Sequence, residues 1–158
     1  MTAFLQTTLG KILMTMGVSA LPIVELRLGL PYGVALGLDP WTAFFAAVIG
    51  NLIPVPFIIL LIRRIFDWLR DTRRLGPTIH RLEDKAHLKG RLVRKYRLPG
   101  LVVLVAIPLP GTGAWTGALV AALLNIRLRH AFPAILAGVA IAGMIMLSLT
   151  YGVIHLFN

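Results

Sequence analysis

The sequence predicts an all-α membrane protein: two re-entrant helical hairpins and two transmembrane helices in an inverted repeat, with amphipathic cytoplasmic helices between the halves. Three observations carry this. Of 158 residues, 58% are hydrophobic and only 14% charged, against about 25% charged in soluble domains. Twelve of the sixteen Lys and Arg fall between Arg63 and Arg97, among only four acids. Fifteen glycines and ten prolines interrupt the apolar stretches, which favours broken helices over simple ones.

Two uncharged stretches are long enough to span. Trp41 to Ile62 and Ala131 to Ile154 each exceed the ~20 residues a helix needs to cross ~30 Å of hydrocarbon. Trp41 suits an interfacial anchor. Pro54 and Pro56 should kink the first span, and Asn51 is a polar group at depth.

The other apolar segments are too short to cross. Leu98 to Leu109 and Thr112 to Leu124 flank Pro108-Leu109-Pro110-Gly111-Thr112-Gly113, which no continuous helix tolerates. A re-entrant hairpin with a broken tip accommodates them, since non-helical backbone at that depth must be buried in protein or face a wet cavity. The N-terminal region repeats the pattern. Leu9 to Leu21 is followed by an expected unwound tip from Pro22 to Pro31 and a returning arm from Tyr32 to Leu38, closed by Asp39-Pro40. Val18-Ser19-Ala20 looks like a signal-peptide cleavage site, but Lys11 comes too late for an n-region, so retention is expected.

The order is therefore hairpin, span, basic segment, hairpin, span within one integral membrane domain: 1–62, 63–97 and 98–158. A hairpin crosses zero times and a span once, so the second unit enters from the face opposite the first. The basic segment carries a net +8, which places it in the cytoplasm of a cell membrane and both termini outside. Arg127 and Arg129 on the later link agree with that orientation. The halves share negligible sequence identity, so the repeat rests on hydropathy.

Apolar residues in the basic segment recur with helical period: Ile62, Ile65, Phe66 and Leu69, then Ile79, Leu82, Ala86, Val93 and Tyr96. Such helices either form a solvated, topology-setting loop or bind anionic lipid headgroups. Base-reading motifs are absent, so no nucleic-acid partner is expected despite the net charge of +10. No cysteine is present, and His80 and His87 read as surface residues, so neither metal nor cofactor is expected. Without an acid pair or a Ser/His/Asp arrangement, an enzyme is not expected.

Glu25 and Arg27 are the principal candidates for a substrate- or proton-binding site. Charged groups inside a membrane segment cost about 2.5–3.5 kcal/mol each on insertion scales and are usually functional. Glu25 suits a proton carrier and Arg27 a fixed charge for an anionic group; the alternative is an ion pair that holds the tip together. Gly111, Thr112 and Gly113 offer backbone amides at the start of a half-helix, an anion site, although Thr112 equally fits an N-cap. Trp115 either stacks on substrate or packs. Asn51 either satisfies a carbonyl freed by Pro54 or touches substrate. Gly29/Gly33 and Gly113/Gly117 have the spacing that permits close helix approach.

Three blocks together carry a family resemblance: Glu25-Leu26-Arg27 with Gly29-Leu30-Pro31, Gly50 to Pro56, and Ala106 to Trp115. The chain resembles the small multidrug export proteins, over nearly its whole length. That family looks distantly related to DedA-like membrane proteins, whose paired re-entrant hairpins and implied movement of lipid-phosphate carriers agree with this layout. Two functions are consistent with these residues: a proton-linked transporter of an anionic or amphipathic substrate, or a non-transporting structural scaffold. Two spans and two half-depth hairpins are few elements with which to shield polar tips from lipid, so a homodimer is expected.

Overall fold

The computed structural model describes residues 7–70, 96–108 and 112–156. Among them the structure is wholly helical: α1 (Thr8–Ser19), α2 (Glu25–Ala35), α3 (Pro40–Leu52), α4 (Pro54–Arg70), α5 (Arg97–Ala106), α6 (Ala114–Leu123) and α7 (Leu128–Leu156). The second amphipathic stripe expected between Ile79 and Val93 lies outside the described residues, as does Gly111.

Local chemistry sets several boundaries. The Thr7 hydroxyl accepts from the Gly10 N–H at 3.1 Å and caps α1. Asp39 caps α3, accepting from the Trp41 and Thr42 amides at 3.1 and 3.3 Å, while Pro40 occupies the first helical position, where no N–H is needed. Helices α2 and α6 end in the same left-handed turn. Gly37 (φ +81°) and Leu38 return their amides to Val34 and Gly33, as Asn125 (φ +52°) and Ile126 do to Ala122 and Ala121. Gly and Asn are the residues that take this backbone at least cost.

Helices α3 and α4 meet at Ile53, just before Pro54, and together supply a stretch long and apolar enough to cross a membrane, Pro40–Ile65. The second such stretch is Leu128–Gly152 in α7. Both extend the expected spans toward their N-termini, because Asp39 and the turn at Asn125 set the helix starts. Large apolar side chains on these stretches face outward; Phe57 is 69% exposed, Leu61 60% and Leu149 54%. So broad an apolar surface suits lipid better than water.

Two expectations for the first half are corrected. The unwound tip is limited to residues 20–24, and the returning arm begins at Glu25 rather than Tyr32, with Pro31 inside α2. An interior proline costs about 3 kcal/mol. Leu26 and Leu30, both on α2 and almost completely buried, each contribute about 1.5–3 kcal/mol and offset it. Residues 63–70, the start of the expected basic segment, continue α4 without a break.

The helices pack in a related way in both halves. Helix α1 lies on α2 and α3, and α5 lies on α6 and α7; α2 also contacts α7, and α6 contacts α4. Close approaches recur as well. Gly29 abuts Ser19 and Gly50 abuts the Met16 backbone; at matching positions Gly117 abuts Val105, and Gly138 abuts Val105 and the Val102 carbonyl. A Cβ at any of these four glycines would overlap its neighbour, so helix separation in both halves depends on the missing side chain. Gly143 closes the centre, where an added Cβ would come within 2.6 Å of the Phe44 ring and 3.3 Å of Leu26.

Candidate functional site

The turn between α1 and α2 meets the turn between α5 and α6. Glu25 opens α2 with φ +47°, a left-handed backbone that is costly for a residue other than glycine. Its side chain is only 5% exposed and runs to the start of α6, where Oε1 accepts from the Trp115 N–H at 3.2 Å. Gly113 precedes α6 at φ +144° and has no side chain to cap it. Glu25 supplies the anion that this helix terminus lacks, satisfying one of its unpaired amides and facing its positive dipole end. The carboxylate rests against the Gly113 α-carbon, in space a Cβ would need.

Arg27 lies two residues further along α2 and makes the reciprocal contact. Its Nη2 donates to the Thr112 hydroxyl at 2.8 Å, to the Thr112 carbonyl and to the Ile107 carbonyl at 3.4 Å. Thr112 passes a further hydrogen bond to the Ile107 carbonyl at 2.8 Å. The Trp115 indole crosses the other way and donates to the Ala20 carbonyl, the C-cap of α1, at 3.2 Å. Each turn therefore satisfies backbone groups that the other leaves open, which is how broken backbone becomes tolerable away from water.

This geometry brings together Glu25, Arg27, Thr112, Gly113 and Trp115. Asn51 stands apart on α3, 3% exposed, with Oδ1 lacking a hydrogen-bond partner. Glu25 and Arg27 do not pair with each other, and each reaches across to the second turn. Thr112 is not an N-cap, since Gly113 holds that position. At the start of α6, where an anion site was expected, the chain's own Glu25 carboxylate accepts from the Trp115 amide. Sequence reasoning missed the Ala20 and Ile107 carbonyls, which have no side-chain signature, and Ser19, whose buried hydroxyl has no partner.

What the arrangement offers chemically is a carboxylate in competition with any other anion for one helix terminus, beside a guanidinium held by neutral oxygens.

No curated protein and no solved structure matches the chain. A family model described as "Putative small multi-drug export protein" matches residues 25–145, beginning at Glu25 and including the turn between α5 and α6. With the two apolar helices, that match points to a membrane-located export protein, and over so large a share of its length the chain belongs to the small multi-drug export family.

Proposed function

We propose that the chain is a proton-linked transporter in the cell membrane, moving an anionic or amphipathic substrate, such as a lipid phosphate, past the junction of the two turns. The observation that carries this is the Glu25 carboxylate on the Trp115 amide, cradled by Gly113. Protonating Glu25 removes the charge that holds it to the start of α6. The vacated amides, with Arg27 alongside, then receive the anionic group of the substrate. Loss of the proton returns the carboxylate to its place and displaces that group.

In this reading α1–α2 and α5–α6 are re-entrant hairpins. Their helices of 10–12 residues reach about 15–18 Å at 1.5 Å per residue, about half the hydrocarbon depth. The matched glycine contacts support an inverted repeat, and the basic segment, facing the cytoplasm, sets its orientation.

The test uses proteoliposomes carrying a fluorescently labelled dodecyl phosphate, with a pH-sensitive dye in the lumen. Glu25→Gln keeps an acceptor for the Trp115 amide but cannot ionise; it should fold normally, lose proton flux and lose transport. If a folded Glu25→Gln chain moves the probe at the wild-type rate with protons still coupled, Glu25 is not the proton carrier and the junction only braces the fold; if the wild-type chain itself moves neither probe nor protons, the scaffold reading takes over.

A further inference from the structure

At the end of α5 and α6 away from the turns, two clefts share one arginine. The first, of about 490 Å³, is lined by Arg97, Asn125, Arg127 and His130 among others. The second, of about 400 Å³, runs between α5 and α6 along Tyr96, Gly100, Leu104, Val120 and Leu124, and Arg97 lines this one too. Tyr96, Gly100 and Leu104 recur every four residues and so share one helix face. One cleft is cationic with a mixed polar and apolar lining, the other almost entirely apolar, and no acid lines either among the described residues. Arg97 Nε is buried at their meeting point with no hydrogen-bond partner.

We propose that these joined clefts are a binding site for an acidic phospholipid, separate from the junction of the turns. The phosphate sits among Arg97, Arg127 and His130, and an acyl chain lies in the groove between α5 and α6. Charge complementarity selects the occupant: cations with no acid beside them among the described residues attract an anionic headgroup, and the adjoining groove requires an apolar tail. A soluble anion satisfies only the first condition and a neutral lipid only the second. The site does not depend on transport, because it lies at the opposite ends of both helices from Glu25 and Thr112.

Gly100 makes the proposal testable without damage to the fold. It is exposed, lines the groove, and a Cβ placed there meets nothing within 4 Å. Leucine at that position fills the groove and suits a helix better than glycine does. Native mass spectrometry of the detergent-purified chain, titrated in turn with phosphatidylglycerol, phosphatidylcholine and inorganic phosphate, reads occupancy directly.

Phosphatidylglycerol should be retained about ten-fold better than phosphatidylcholine, the scale of one charge-assisted contact. Inorganic phosphate should not be retained. Arg97→Ala should bring phosphatidylglycerol down to the phosphatidylcholine level, and Gly100→Leu should abolish its retention while leaving the unfolding temperature unchanged. Equal retention of the two lipids, retention of inorganic phosphate as strong as that of phosphatidylglycerol, or wild-type retention by both variants would overturn the site.

Discussion

The Glu25 carboxylate lies against the α-carbon of Gly113, so the first turn is seated in a space that exists only because residue 113 has no side chain. The backbone of Gly113 is itself one that side chains rarely permit, at φ +144°. Two independent requirements for glycine coincide at one residue, and the same residue holds the N-cap position of α6, which leaves the capping to Glu25.

Gly113→Ala should therefore be severe. A left-handed backbone away from the common regions costs of order 1–3 kcal/mol, and displacement of the carboxylate adds the loss of its bond to Trp115. Thermal unfolding in detergent should occur at a clearly lower temperature than in the wild type. An unchanged midpoint would mean that Glu25 does not sit on Gly113.

Arg27 and Thr112 should be energetically coupled. A double-mutant cycle of Arg27→Ala and Thr112→Val isolates their shared contact from the separate bond between Thr112 and Ile107. We expect a coupling within the range of about 0.5–3 kcal/mol found for residues in contact. Arg27→Lys keeps the charge but loses the planar fork, so its stability should fall between wild type and Arg27→Ala. Strict additivity would show that the two turns are not joined there.

Asn125 tests the turn that ends α6. Its left-handed backbone favours Gly and Asn, and its Oδ1 accepts from Arg63 at 3.0 Å, beside the bond from Arg63 to the Ile126 carbonyl at 2.8 Å. Asn125→Ala should lower stability by about 1–2 kcal/mol. Asn125→Gly, which loses one bond but gains backbone freedom, should stay within about 0.5 kcal/mol of wild type. Equal losses for the two substitutions would rule out the backbone explanation.

The proposed topology places both termini outside. The chain contains no cysteine, so a single cysteine introduced at the C-terminus reports cleanly to a membrane-impermeant maleimide. It should react in intact cells; labelling that requires permeabilised cells would reverse the orientation.

Arg27 and Thr112 are left partly exposed by the turns, and we propose that a second copy covers them. Mass photometry in mild detergent should therefore return a homodimer. A monomer that still transports after reconstitution would refute it.

Much of the fold was legible because it is local. Hydropathy and length located both membrane-length stretches, and proline and glycine located the breaks. The hydrophobic pattern was less informative about Glu25–Pro31, where Pro31 looked like a helix breaker; burial of Leu26 and Leu30 keeps the helix intact around it. A signal for the contact repeat was present in the equal spacing of Gly29, Gly37 and Gly50 and of Gly117, Asn125 and Gly138. It was hard to see because Asn125 replaces a glycine and the neighbouring residues differ.

By itself, then, the sequence determined the helical character, the two long apolar stretches, the cationic middle and the residue types available at each turn. These follow from periodicity, hydropathy and backbone preference, which act over a few neighbouring residues. Only the tertiary structure decided that Glu25 caps α6 and that Arg27 holds Thr112, across sequence separations of 90 and 85 residues. The reason is physical: Glu25 bonds a backbone amide and Arg27 bonds carbonyls, groups that every part of the chain carries, so which of them these charges meet depends on how the helices pack.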